Sequence, residues 1–144
     1  MITHATSPDQ AWLLGRAALD FAALSNQAAL LSIGIVVPVF NEAAILEEAL
    51  ERLRRVARTL PVVVADGGST DGSARIARRF FHTELCPEPN RGSQMNRGAR
   101  CLGNDVLLFL HADSRLPADF AEHIRMALLN TRVVGGSFRL VFDA

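Results

Sequence analysis

Ile33-Gly-Ile-Val-Val-Pro-Val-Phe40 is the stretch that decides the fold. It is short, β-branched and apolar at odd and even positions alike, so neither face of the strand it forms can be left in water. A strand buried on both faces belongs to a parallel sheet covered by helices, and the residues that follow supply them. From Asn41, a candidate helix cap, Ile45, Leu46, Ala49, Leu50, Leu53, Val56 and Ala57 recur at helical spacing. Glu residues come early and Arg residues late, as the helix dipole favours.

The alternation continues downstream. Residues 61–65 read as a second strand ending at Asp66, Gly67 to Gly72 as a turn, and a short helix carries Ile76 and Phe80. His82 to Leu85 reads as a third, short strand before a Pro-containing loop. A helix over 93–102 would turn Met95, Ala99 and Leu102 inward, and Val106 to Leu110 has the pattern of a fully buried fourth strand. Pro117 opens a last helix with Phe120, Ile124 and Leu128 inward, closing near Asn130, and 133–142 reads as a final strand. Strands alternating with helices predict an α/β fold with a mostly parallel sheet flanked by helices.

Two regions follow from this reading. Residues 33–144 form the α/β domain. Residues 1–32 stand outside it as an N-terminal helical extension with Trp12, Leu13, Ala17, Leu19 and Leu24 on one side, read as a packing or partner helix rather than a membrane contact. The uncharged run from Phe21 to Asn41 is long enough to span a bilayer, but Ser25, Asn26 and Gln27 at its centre and Pro38 near its end argue against that.

Composition narrows the function. With 144 residues, 49% of them apolar, one core is expected. Lys plus Arg and Asp plus Glu balance at 15 each, so no overall field favours nucleic acid. Cys86 and Cys101 form no metal-binding or disulfide pattern. No secretory signal is evident, so the mature chain is expected to begin near Met1 in the cytoplasm, with peripheral attachment at the inner face of the membrane left open.

In an open α/β sheet, ligands sit beyond the carboxyl ends of the strands. Here three such ends carry polar residues: Asn41-Glu42, Asp66-Gly67-Gly68 and His111-Ala112-Asp113. The glycines let backbone approach a ligand, and Asp66 can accept hydrogen bonds from a base. Arg91, before a helix N-terminus, suits a diphosphate, and Asp113 suits Mg²⁺ or Mn²⁺ shared with phosphate oxygens. No GxGxxG follows the first strand and no GxxxxGK[ST] occurs, which excludes the nicotinamide and phosphate-loop readings.

Taken in order, Ile35-Val-Val-Pro-Val-Phe-Asn-Glu42, Val64-Ala-Asp-Gly-Gly-Ser-Thr-Asp-Gly72 and Leu108-Phe-Leu-His-Ala-Asp-Ser114 resemble the three motifs of family 2 glycosyltransferases, over about residues 33–144. Arg91-Gly-Ser-Gln-Met-Asn-Arg-Gly-Ala99 and 109–117 are similar to the bacterial selenodomain-associated subgroup. The resemblance implies a Rossmann-like GT-A nucleotide-sugar-binding domain and transfer of a sugar, with inversion, from a nucleotide diphosphate to an acceptor hydroxyl. It implies a nucleotide-sugar site of Pro38, Asn41, Glu42, Asp66, Gly68, Arg91, Gln94 and Asp113. It further implies a divalent metal, Mn²⁺ or Mg²⁺, on the DxD-like Asp113, with His111 a second candidate, and a UDP-sugar donor. Gly67 and His111 stand where the family often shows Asp.

The family's acceptor half and general base are expected beyond Ala144. This chain is accordingly expected to be a C-terminally truncated donor half, weak or inactive in transfer. Its uncovered edge calls for a homo-oligomer or a partner chain. The acceptor and the sugar are unassigned. Two other readings compete: a non-catalytic nucleotide-sugar-binding module completed by a partner chain, and a nucleotidyltransferase, which would want a Gly-rich basic loop where Asn41-Glu42-Ala43-Ala44 stands.

Overall fold

All seven residues of β1 (Ile33–Val39) are buried. The computed structural model of the protein describes residues 31–87 and 90–139, and every structural statement below refers to these. The expected extension over 1–32 lies almost wholly outside them. The elements after β1 run α1 (Ala43–Ala57), β2 (Val62–Asp66), α2 (Ser73–Ala77), β3 (His82–Leu85), α3 (Arg91–Arg100), β4 (Val106–Phe109) and α4 (Phe120–Ala127).

The four strands form one parallel sheet in the order β3-β2-β1-β4. Two successive crossovers move the chain one way along the sheet, and the third carries it back past β1. With right-handed connections, this reversal puts α1 and α2 on one face and α3 on the other. Consistently, α1 contacts α2, while α3 packs on β1 and β2. The reversal between β1 and β4 is where such a sheet opens a crevice at its carboxyl ends.

α3 comes close to the sheet because Gly98 has no side chain. A Cβ there would lie 2.5 Å from Val36 Cγ1 and 3.4 Å from the Ala65 methyl. The buried residues of α3 are therefore Gln94 and Gly98, one position away from the expected Met95 and Ala99. Helical periodicity identified an apolar stripe, but the helix seats itself on its small residue. On the opposite side of the sheet α1 buries Leu46, Ala49, Leu50, Leu53 and Ala57, whereas Ile45, expected inward, is exposed.

Three further expectations are corrected. β4 is not fully buried: it lies at one edge of the described sheet, with Val106 to Leu108 half-buried and Phe109 39% exposed. Asn41 does not cap α1, whose N-cap is Glu42. Residues 133–139 form no strand, and Val134 and Phe138 are exposed. The chain divides into a unit of Leu31–Phe120, which holds the sheet, and a second unit whose described part is 121–139.

Candidate functional site

Beyond β1 the chain turns sharply. Asn41 takes a left-handed conformation, φ 53°, which Asn enters more readily than other side chains. The turn lays the start of α1 against the β2–α2 loop, and the two are tied by side chains. Asn41 Oδ1 accepts from the Thr70 amide at 2.9 Å, and the Asn41 amide donates to Ser69 Oγ at 2.9 Å. The Glu42 amide donates to Ser73 Oγ at 2.9 Å and the Ala43 amide to Asp71 Oδ2 at 2.8 Å. Asp71 Oδ1 accepts from both the amide and the hydroxyl of Ser73.

The Glu42 and Ala43 amides at the start of α1 thus have protein partners. Ser69, Asp71 and Ser73 were not singled out as important from sequence. The signal was present in the Ser-Thr-Asp-Gly-Ser run, whose short polar side chains readily bond nearby backbone. Hydrogen bonds to Ser73 Oγ and to the Ala43 and Ser73 amides hold the Asp71 carboxyl below the usual range.

At the end of β2, Asp66 is 1% exposed. Its Oδ2 accepts from the amides of Gly68 and Ser69, both at 3.1 Å, while Oδ1 is buried with no hydrogen-bond partner. Gly68 makes this loop possible by its φ of 84°, which costs a β-carbon far more than glycine. Gly67 is glycine because of crowding: a Cβ there would stand 2.9 Å from Gln94 Nε2. That amide donates to Val39 O at 2.6 Å and Ala65 O at 3.0 Å, clasping the ends of β1 and β2. Where Gln94 fills this space there is no room for a second acidic side chain beside Asp66. Pro38 lies within β1, in register with Ala65.

α3 begins at Arg91, with Asn90 as its cap accepting from the Ser93 amide at 3.2 Å. Arg91 is the first residue of the helix rather than part of the preceding loop. Its guanidinium contacts the His111 ring, with Nη1 close to Nδ1 and 3.3 Å from Nε2. A guanidinium only donates, so in this arrangement the ring accepts, using a lone pair that a metal would need. His111 and Asp113 are exposed beyond β4 on either side of buried Ala112, and Asp113 Oδ1 accepts from Ser114 Oγ at 3.3 Å.

Glu42 links these groups. Burial pushes its carboxyl above the usual range; Arg91 and His111 oppose this, and Asp113 and Asp71 add to it. Its Oε2 is buried without a hydrogen-bond partner. The crevice therefore gathers Glu42, Arg91, His111 and Asp113 around one another, with Asp66 buried at the neighbouring strand end. Among the described residues it does not bring three metal-ligating side chains to one point. A hard cation that shares phosphate oxygens needs only one or two carboxylates, so Asp113 fits that need better than His111.

Residues 34–144 match the profile of glycosyl transferase family 2. Succinoglycan biosynthesis protein ExoA from Rhizobium meliloti (strain 1021) is 37% identical over 100 residues, covering 62% of this chain and 30% of that protein. Glucosyl-3-phosphoglycerate synthase from Mycobacterium tuberculosis, solved with Mn²⁺, uridine diphosphate and glucosyl-3-phosphoglycerate, shares the fold. Its TM-score is 0.61 at 23% identity, over 74% of this chain and 43% of that one. A mannosyltransferase from Pyrobaculum calidifontis, solved with GDP-Man and Mn²⁺, gives a TM-score of 0.57 at 22% identity, over 78% of this chain and 42% of that one. The chain thus spans less than half the length of each of these proteins. No described helix is long and apolar enough to cross a membrane.

Proposed function

Because this chain belongs to glycosyl transferase family 2, we propose that its strand-end crevice binds a nucleotide diphosphate sugar, UDP-sugar in preference, for transfer with inversion to an acceptor hydroxyl. Asp66 carries the reading. A buried carboxylate with one oxygen unpartnered is costly unless a ligand N–H completes it, and a base ring offers such a donor. Pro38, Asn41, Gly68 and Gln94 shape the base and ribose side of the site, Asn41 and Gln94 by holding the loops that line it.

Arg91 and Glu42 border the diphosphate. Asp113 would hold Mn²⁺ or Mg²⁺, with His111 the second candidate once Arg91 turns from it towards phosphate. Such an ion neutralises charge developing on a leaving diphosphate. Arg91 adds a fixed positive charge beside the same oxygens, and Glu42 opposes its drift. No general base is assigned among the described residues, and weak or absent transfer by this chain alone is part of the proposal.

The test is calorimetric titration of UDP and GDP, with and without Mn²⁺, into wild type, Asp66→Asn and Asp113→Ala. Metal-dependent UDP binding, weakened in both variants, supports the reading. Binding that neither substitution alters would overturn it. A non-catalytic nucleotide-sugar-binding module completed by a partner chain is a second reading, favoured by the exposed Phe109 on the edge strand. It predicts donor binding without sugar transfer even when a partner covers β4.

A further inference from the structure

A second cluster of chemically capable side chains lies at the other end of α3. His82 and Glu84 alternate along β3, in register with Val63 and Ala65, and so share the face on which α3 packs. Gly98 lets that helix sit so close to the sheet that a Cβ on it would lie 3.4 Å from the Ala65 methyl, and Cys101, its C-cap, follows three residues later. One ligand atom from each of His82, Glu84 and Cys101 lies within 4.8 Å of the other two. The α3 axis separates this cluster from Arg91 by about 15 Å, at 1.5 Å per residue.

We propose that His82, Glu84 and Cys101 form a zinc-binding site that ties the C-terminal end of α3 to β3. Tetrahedral zinc with bonds of about 2.0–2.3 Å needs ligand atoms roughly 3.3–3.8 Å apart. His82 Nε2 and Glu84 Oε2 are already 3.8 Å apart, and all three side chains have room to adjust, His82 and Cys101 being exposed. The two oxygens of Glu84 divide their tasks. Oε1 accepts from Arg97 Nε at 2.8 Å, which orients the carboxylate, and Oε2 faces the histidine. Outer partners of this kind fix ligand geometry in zinc sites.

The donor set chooses the ion. One imidazole, one carboxylate and one thiolate favour zinc over Mg²⁺ or Mn²⁺, which prefer oxygen alone. Cys101 Sγ now donates to Arg97 O at 3.5 Å; on binding, the thiol releases its proton to solvent and the thiolate takes the metal. The two anionic ligands balance the ion's charge, and water completes the fourth position. This set differs from the hard-oxygen site at Asp113, so the two can be told apart by metal and by variant.

The experiment titrates the full chain with Zn²⁺, and with Co²⁺ as a spectroscopic probe. The expected result is one equivalent bound, a thiolate-to-cobalt charge-transfer band, and a raised melting temperature. Cys101→Ser should abolish the band, and it and His82→Ala should each weaken zinc binding by about tenfold or more. Circular dichroism checks that each variant is folded. Absence of stoichiometric zinc binding overturns the proposal. So does binding that survives both Cys101→Ser and His82→Ala, or a band lost in Cys86→Ser instead.

Discussion

Gly98 and Val36 are in such close contact that a methyl on the glycine Cα would stand 2.5 Å from Val36 Cγ1. The obstacle is a β-branched side chain in a fully buried strand, which cannot swing aside. Gly98→Ala is therefore expected to destabilise the protein by about 1–3 kcal/mol through overpacking, despite alanine's better helix propensity. Thermal melts read this directly. A gain in stability would mean that α3 slides outward at little cost.

Gln94 offers the complementary test. Its buried amide satisfies the Val39 and Ala65 carbonyls at once, and Gln94→Leu removes the donor to both. Val39 O keeps the Gly67 amide at 2.9 Å, so the two lost hydrogen bonds, at about 0.5–1.5 kcal/mol each, predict a loss of about 1–3 kcal/mol in denaturant unfolding. Nucleotide binding should weaken too, because the ends of β1 and β2 would lose the side chain that clasps them beside the crevice.

Asp71 stabilises the start of α1 from a different loop. Its folded pKa is depressed, so its contribution is complete above the unfolded value of about 3.8 and is lost as pH falls through the folded one. Asp71→Ala should lower the melting temperature near neutral pH, and the gap from wild type should close on acidification. An unchanged melting temperature at pH 7 would show that the Ser69 and Ser73 hydroxyls suffice.

Glu42 has the opposite sign. Burial raises its folded pKa above the ordinary 4.5, so the folded state holds the proton more tightly than the unfolded chain. Its favourable contribution is present below the unfolded pKa and is lost as pH rises through the folded one. Metal-free Glu42→Gln should therefore be more stable than wild type at neutral pH, with the difference shrinking below about pH 4.5. Melting curves across that range decide it, and a variant less stable at pH 7 would show that Arg91 and His111 outweigh burial.

Much of this was legible in the residues. β1 and β2 fall where a β-branched apolar run or a Gly-rich boundary placed them and β3 where a Pro-containing loop bounds it, and the polar strand ends converge because a parallel sheet with one reversal leaves them no other place. The inward face of α3 was not legible: Gln94 is polar and Gly98 featureless, and only their partners on the sheet make them interior. The exposure of β4 escaped because an apolar run reports what a strand tolerates, not whether a neighbour is present. Asn41 was misread as a cap because its partner, Thr70, lies 29 residues away.

The lacing of Asn41, Glu42 and Ala43 to Ser69, Thr70, Asp71 and Ser73 has a thermodynamic consequence. Two loops that would otherwise wander are ordered as the chain folds, so an arriving nucleotide need not immobilise them, and that entropy is not deducted from its affinity. Recognition at this mouth should resemble a key entering a cut lock: small heat-capacity changes from the protein side, and association rates set by diffusion and charge rather than by loop closure.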